Sequence, residues 1–157
     1  MLKQLARLSV EADGRYATAD ELQFLKDYLQ SVDQRLSAYE KIRDAEEKII
    51  PQVEEIKRSL DPNLFVMGSR DITEVCRRDM TNVIRCSAAA LLINDLDRLR
   101  AGLLVWYQTI VRAFNYQRYA EITYQIIQDV VKEYLTAEEA ELMLPILQLD
   151  HTILGQG

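Results

Sequence analysis

Apolar residues recur every three or four positions along almost the whole chain. The longest such stripe is Leu22, Leu25, Leu29, Val32, Leu36, Tyr39 and Ile42, and no glycine or proline interrupts it before Pro51. This is the period of an α-helix; a half-buried strand would alternate instead. Five glycines and three prolines in 157 residues leave little material for the turns that many short strands need. The chain is therefore expected to be all-α. Its length suits one domain and one core, spanning 1–157, and 48% hydrophobic residues exclude wholesale disorder.

The stripes and their punctuation place the helices. Leu2, Leu5, Leu8 and Ala12 mark a first helix that stops at the turn pair Asp13-Gly14. Thr18 with Glu21 reads as a capping box opening the second. The long stripe that follows is either one helix or two with a bend near Ser31-Val32. Ile49, Val53, Ile56 and Leu60 continue it, but proline costs about 3 kcal/mol inside a helix, so a boundary is expected at Ile50-Pro51. Asp61 to Arg70 is the one extended irregular segment, and its Phe65, Val66 and Met67 must pack on the body. Ser69 or Asp71 then caps a helix to about Ile93, broken by Asn94-Asp95. Leu96, Leu99, Leu103, Trp106, Ile110 and Phe114 form the next stripe, ended by Asn115. Tyr119, Ile122, Ile126, Val130 and Leu135 form another. A second capping box, Thr136 with Glu139, opens a last helix that passes Pro145 and ends near Gly155. Seven or eight helices in this length fit a globin-like packing better than a four-helix bundle.

Composition removes several functions. The net charge is −6 and the pI about 4.9, a poor match to nucleic acid. A single histidine makes most His-based metal sites and His-ligated haem hard to place, so neither is expected. Two cysteines make no disulfide framework, and a reducing cytoplasm is the simpler setting. The first ten residues carry charges inside their apolar pattern, unlike a signal peptide. The longest apolar run, Ala88 to Ile93, is far short of the roughly 20 residues that cross a bilayer. There is no phosphate-binding glycine loop and no nucleophile–base pair near His151, so an enzyme is not expected.

The sharpest motif lies in CRRDMTNVIRCSAAALLIND, Cys76 to Asp95. Cys76, Arg78, Asp79, Arg85 and Asn94-Asp95 stand at the offsets of a C-x-R-D helix with an arginine nine residues after the cysteine. In these residues the chain resembles the phycobiliproteins, the bilin-carrying light-harvesting subunits of phycobilisomes. EADGRYATADELQFLKDYLQ and DQRLSAYEKI extend the resemblance towards the N-terminus. It implies a globin-like core over 31–157 preceded by two extra N-terminal helices in 1–30. It implies a linear tetrapyrrole at Cys76, with Asp79 accepting from pyrrole N–H groups and Arg78 facing a propionate. The residue types suit those roles. A thiolate is a good nucleophile, a carboxylate one turn on shares its helix face, and a guanidinium matches a carboxylate.

The resemblance also implies a subunit interface in which Asp13 of one copy meets Arg85 of another, with Tyr16 beside them. The partner is a second copy or a phycobiliprotein-like subunit, as the exposed Leu2–Leu5–Leu8 stripe would require. The implied setting is cytoplasmic, or the cytoplasmic face of a thylakoid. Departures from the family pattern are specific. Cys86 stands where an aromatic is usual, Ala89 where a tyrosine is common, and Ile72 and Asp71 replace an arginine pair. They keep a second reading open, a colourless, dimerising interaction or regulatory protein.

The remaining features have plainer expectations. Cys86 is expected in core packing or a subunit contact. Trp106, Tyr107, Phe114, Tyr116, Tyr119 and Tyr124 are expected mostly in the core, with some lining a cleft. His151 is expected to be exposed, and Glu46, Glu47, Glu54 and Glu55 to form a solvated face. Glu138, Glu139 and Glu141 suit the first turn of a helix.

Overall fold

A computed structural model describes residues 1–155. Seven α-helices carry the fold: α1 (Leu2–Glu11), α2 (Gln23–Leu60), α3 (Thr73–Ile93), α4 (Leu96–Leu99), α5 (Val105–Ala113), α6 (Gln117–Val131) and α7 (Ala137–Gly155). Between α2 and α3 lie a short 3₁₀ turn, Pro62–Phe65, and a two-strand hairpin, β1 (Val66–Met67) with β2 (Arg70–Asp71). The helices close around one core in which α2 packs on α3 and α6, and α6 on α7. Ala38, Ile42, Ile49, Val53, Leu91, Leu104, Val130 and Met143 sit at its centre.

Both reciprocal Thr–Glu pairs form, but the first closes a turn ahead of α2, whose N-cap is Leu22, and only the second opens its helix. Glu21 accepts from the Thr18 N–H at 2.8 Å, and Thr18 Oγ1 accepts from the Glu21 N–H. Thr136 and Glu139 do the same at the start of α7. The N-cap of α3 is Ile72, with no side-chain cap; Asp71, one residue earlier, accepts from the Thr73 N–H at 2.8 Å, and Ser69 lies in the hairpin turn. Asn94 and Asn115 take the left-handed conformation that ends α3 and α5, at φ 48° and 54°.

Several expectations are corrected. The helix boundary at Ile50-Pro51 is absent, and α2 also runs unbroken through Ser31-Val32. Pro51 and Glu47, whose carbonyl loses its i+4 donor, both lie on the exposed face, where water can satisfy that carbonyl. On the opposite face Ile49, Ile50 and Val53 are buried and hold the helix together across the proline.

The stripe after α3 also changes phase. Arg100–Leu104 is a π-helical turn, and the buried positions step from Leu99 to Leu104 and then Val111. The extra residue rotates the predicted stripe outwards. Trp106 is 62% exposed and Phe114 57%, and Leu96 and Ile110 are exposed as well. His151 is buried rather than exposed, and Cys86 is exposed, which rules out core packing and leaves the subunit contact open to it. Glu54 is not solvated but buried, gripped by Arg77 through two 2.8 Å contacts. Phe65 packs as expected, whereas Val66 stays exposed.

Up to Ala38, α1 and the start of α2 contribute no buried residue. This N-terminal arm is tied to the end of α3 by polar contacts. The Met1 amine donates to Asn94 O, Tyr28 Oη to Leu92 O and Arg35 Nη1 to Leu91 O, each within 2.9 Å. These donors satisfy carbonyls that a helix C-terminus leaves without internal partners.

Candidate functional site

The start of α3 and the outer face of α5 form two walls of a cleft of about 340 Å³. From α3 come Cys76 and Asp79, which share a face because they are one turn apart, and Arg78, whose side chain reaches the same lip beside Asp79. Tyr107, Ile110, Val111 and Phe114 line the opposite side, and Met67 and Ile72 close the end. The π-helical turn has a direct consequence here, because it sets the phase that turns Ile110 and Phe114 towards this cleft.

Each polar group is held. Cys76 is 8% exposed, and its Sγ lies 3.6 Å from Tyr116 Oη, which in turn donates to Leu64 O at 3.3 Å. Tyr116 is fixed by stacking on Tyr119, with ring centroids 4.5 Å apart. Asp79 accepts from Tyr107 Oη at 3.0 Å through one oxygen and from Arg78 at 2.9 and 3.0 Å through the other. Burial and the adjacent Asp79 push the Tyr107 phenol well above its ordinary range. Burial and Cys76 do the same to Tyr116. Both phenols therefore stay protonated and able to donate.

Beneath the cleft is a second, small cavity of about 30 Å³, lined by Cys76, Asp79, Tyr107, Tyr116 and Lys57 among others. Lys57 is 1% exposed, with its Nζ 4.5 Å from the centroid of the Phe65 ring. The Arg58 guanidinium covers the same ring at 4.3 Å and donates to Thr73 Oγ1. Sequence reasoning missed Lys57. The signal was available, because the buried series Ile49, Val53 steps by four onto Lys57, while the expected Leu60 is 65% exposed.

The structure brings Cys76, Arg78 and Asp79 to one site, with Tyr107 and Tyr116 against them. It does not bring Asp13, Tyr16 and Arg85 together within one chain. Asp13 and Tyr16 are exposed on the arm, and Arg85 forms a two-point ion pair with Glu46, Nε to Oε2 being 2.7 Å. Cys86 lines a separate groove of about 530 Å³ with Tyr39, Arg98 and Leu103. Among the described residues no cluster of histidine, cysteine and carboxylate side chains could hold a metal ion. No described helix is long and apolar enough to cross a membrane.

Fold and cleft together define an all-α, globin-like protein with a cysteine and a carboxylate on the lip of a mainly apolar groove. A family model of phycobilisome proteins matches residues 8–154, and the chain belongs to that family. No curated protein matches the chain.

Proposed function

We propose that the cleft beside Cys76 takes a linear tetrapyrrole and that the protein serves light harvesting or bilin handling in association with phycobilisomes. One observation carries the reading: Cys76, Arg78 and Asp79 share one lip of a groove whose other wall is apolar. The residues fit the group. A bilin supplies the visible absorption and an exocyclic double bond. Cys76 would hold the group by adding its thiol across that bond, which would form one S–C and one C–H bond at the expense of the C=C π bond and the S–H bond and would need no oxidant. Asp79 offers its oxygens to pyrrole N–H donors, in competition with Tyr107 and Arg78. Arg78 is exposed enough to turn towards a propionate. Ile110, Phe114 and Val111 would shield such a group from water, and the exposure of the first two is consistent with a ligand that covers them.

The test is co-expression with a bilin-synthesising pathway, followed by zinc-induced fluorescence of the denatured band. A fluorescent band that Cys76→Ala abolishes is expected. Absence of visible absorption and fluorescence with every lyase tried overturns the reading.

The second reading, a colourless dimerising protein, has its own support in the arm, which leaves Leu2 and Val10 exposed. Both readings share an interface in which Asp13 and Tyr16 of one copy approach Arg85 of another copy or of a related subunit. The Arg85 side chain, 63% exposed, keeps an outer side free of Glu46 for that contact.

A further inference from the structure

We propose that Lys57 is the buried cation that supports Cys76 as its sulfur takes on negative charge, and that it thereby sets the reactivity of the site. Lys57 is almost wholly buried, and a buried ammonium without a counter-group is costly. Among the described residues no carboxylate lies within ion-pair distance of it. The nearest along the helix, Glu54, is occupied at both oxygens by Arg77. Asp79, across the small cavity, is already engaged by Tyr107 and Arg78. Lys57 and Cys76 line the same small cavity, with Asp79, Tyr107, Tyr116, Thr123 and Tyr124 as its other polar groups.

The Phe65 ring lies against the Lys57 ammonium, and Arg58, over the same ring, adds a like charge nearby. Burial lowers the Lys57 ammonium from its usual range, while Cys76 and Glu54 oppose that shift. Tyr116 completes the device. Its hydroxyl donates to Leu64 O and lies beside Sγ, so that hydroxyl can rotate to donate to the sulfur once the thiol proton has left. Lys57 touches no reacting atom of a ligand; it is a positioning residue acting through Cys76. The purpose of the device rests on the attachment reading above, but the reactivity of the sulfur is measurable without any bilin.

The experiment is alkylation of the whole protein by iodoacetamide at fixed neutral pH, read by mass spectrometry of tryptic peptides. Cys76 and Cys86 fall in different peptides, so Cys86 serves as an internal reference. Lys57→Gln and Lys57→Met are expected to slow alkylation of Cys76 by about fivefold or more, the scale of removing a neighbouring charge from a thiolate. Cys86 is expected to react at the wild-type rate, and Lys57→Arg to restore most of the lost rate at Cys76. A Cys76 rate in Lys57→Gln equal to wild type overturns the proposal, as does a slowing that Lys57→Arg fails to rescue while its helical signal is native. Zinc fluorescence reads attachment itself, so a missing bilin adduct and an unchanged alkylation rate are separate failures.

Discussion

Asp150 and Glu139 are two buried carboxylates of α7 with opposite electrostatics. Asp150 is 1% exposed; it accepts from Ser87 Oγ at 2.6 Å, and its second oxygen has no hydrogen-bond donor. Burial pushes it up to about 8, and the Ser87 hydrogen bond only partly opposes that. The unfolded chain releases this proton near pH 4. The native state thus holds the extra proton between about pH 4 and 8, and stability falls as pH rises through that window, by at most about 1.4 kcal/mol per pH unit. Asp150→Asn keeps an acceptor for Ser87 and removes the ionisation, so its Tm should be nearly flat from pH 5 to 8 while wild type declines. Parallel curves would contradict this. Glu139 behaves in reverse. Burial disfavours its charge, but Lys41, Ser37 and the Thr136 N–H outweigh that and hold it down to about 2. Its contribution is present above about pH 4.5 and lost as pH falls towards 2. Glu139→Ala should cost about 2 kcal/mol in urea unfolding at pH 7, from the lost cap and the stranded Lys41 and Ser37. Residue types in sequence show Glu139, because Thr136 announces it as a cap. They do not show Asp150 or His151, whose burial depends on which face of α7 meets α3 and α6.

At the scale of elements, local periodicity identifies every long helix, and tertiary contacts decide where each ends. Pro51 is the clearest case. Its local cost is real, but the flanking core residues override it, so Pro51→Ala should raise stability by about 1 to 3 kcal/mol without moving the helix ends. A loss of stability would mean that the proline shapes α2 rather than being tolerated by it. The π-helical turn was not legible, since Leu99 to Leu103 reads as one α-helical turn and only packing selects Leu104. That single residue moved Trp106, Ile110 and Phe114 from predicted core to the cleft side and surface. Close packing also fixes α7 against α6. A Cβ at Gly155 would lie 2.7 Å from Glu121 Cα, so Gly155→Ala should destabilise by about 1 to 3 kcal/mol, seen as a lowered urea midpoint.

For the whole molecule, helix count and spacing made the all-α, globin-like packing legible and put Cys76 and Asp79 on one helix face, while the grouping of Arg78 with them came from the family resemblance. The Tyr107 and Tyr116 contacts were not legible, because they join residues tens of positions apart, whereas the burial of Lys57 could have been read from its step of four after Ile49 and Val53. The arm without buried residues predicts self-association or a subunit partner. Asp13→Lys or Arg85→Glu should weaken association measured by sedimentation at micromolar concentration, and the double exchange should restore part of it. A strict monomer in the wild type would remove that interface. Attachment of a linear tetrapyrrole at Cys76, as proposed above, can be read directly by mass. Tryptic digestion after co-expression with a bilin pathway separates peptide 71–77, which carries Cys76, from peptide 86–98, which carries Cys86. The bilin mass is expected on 71–77 alone. The same mass on 86–98, or on neither peptide, would contradict it.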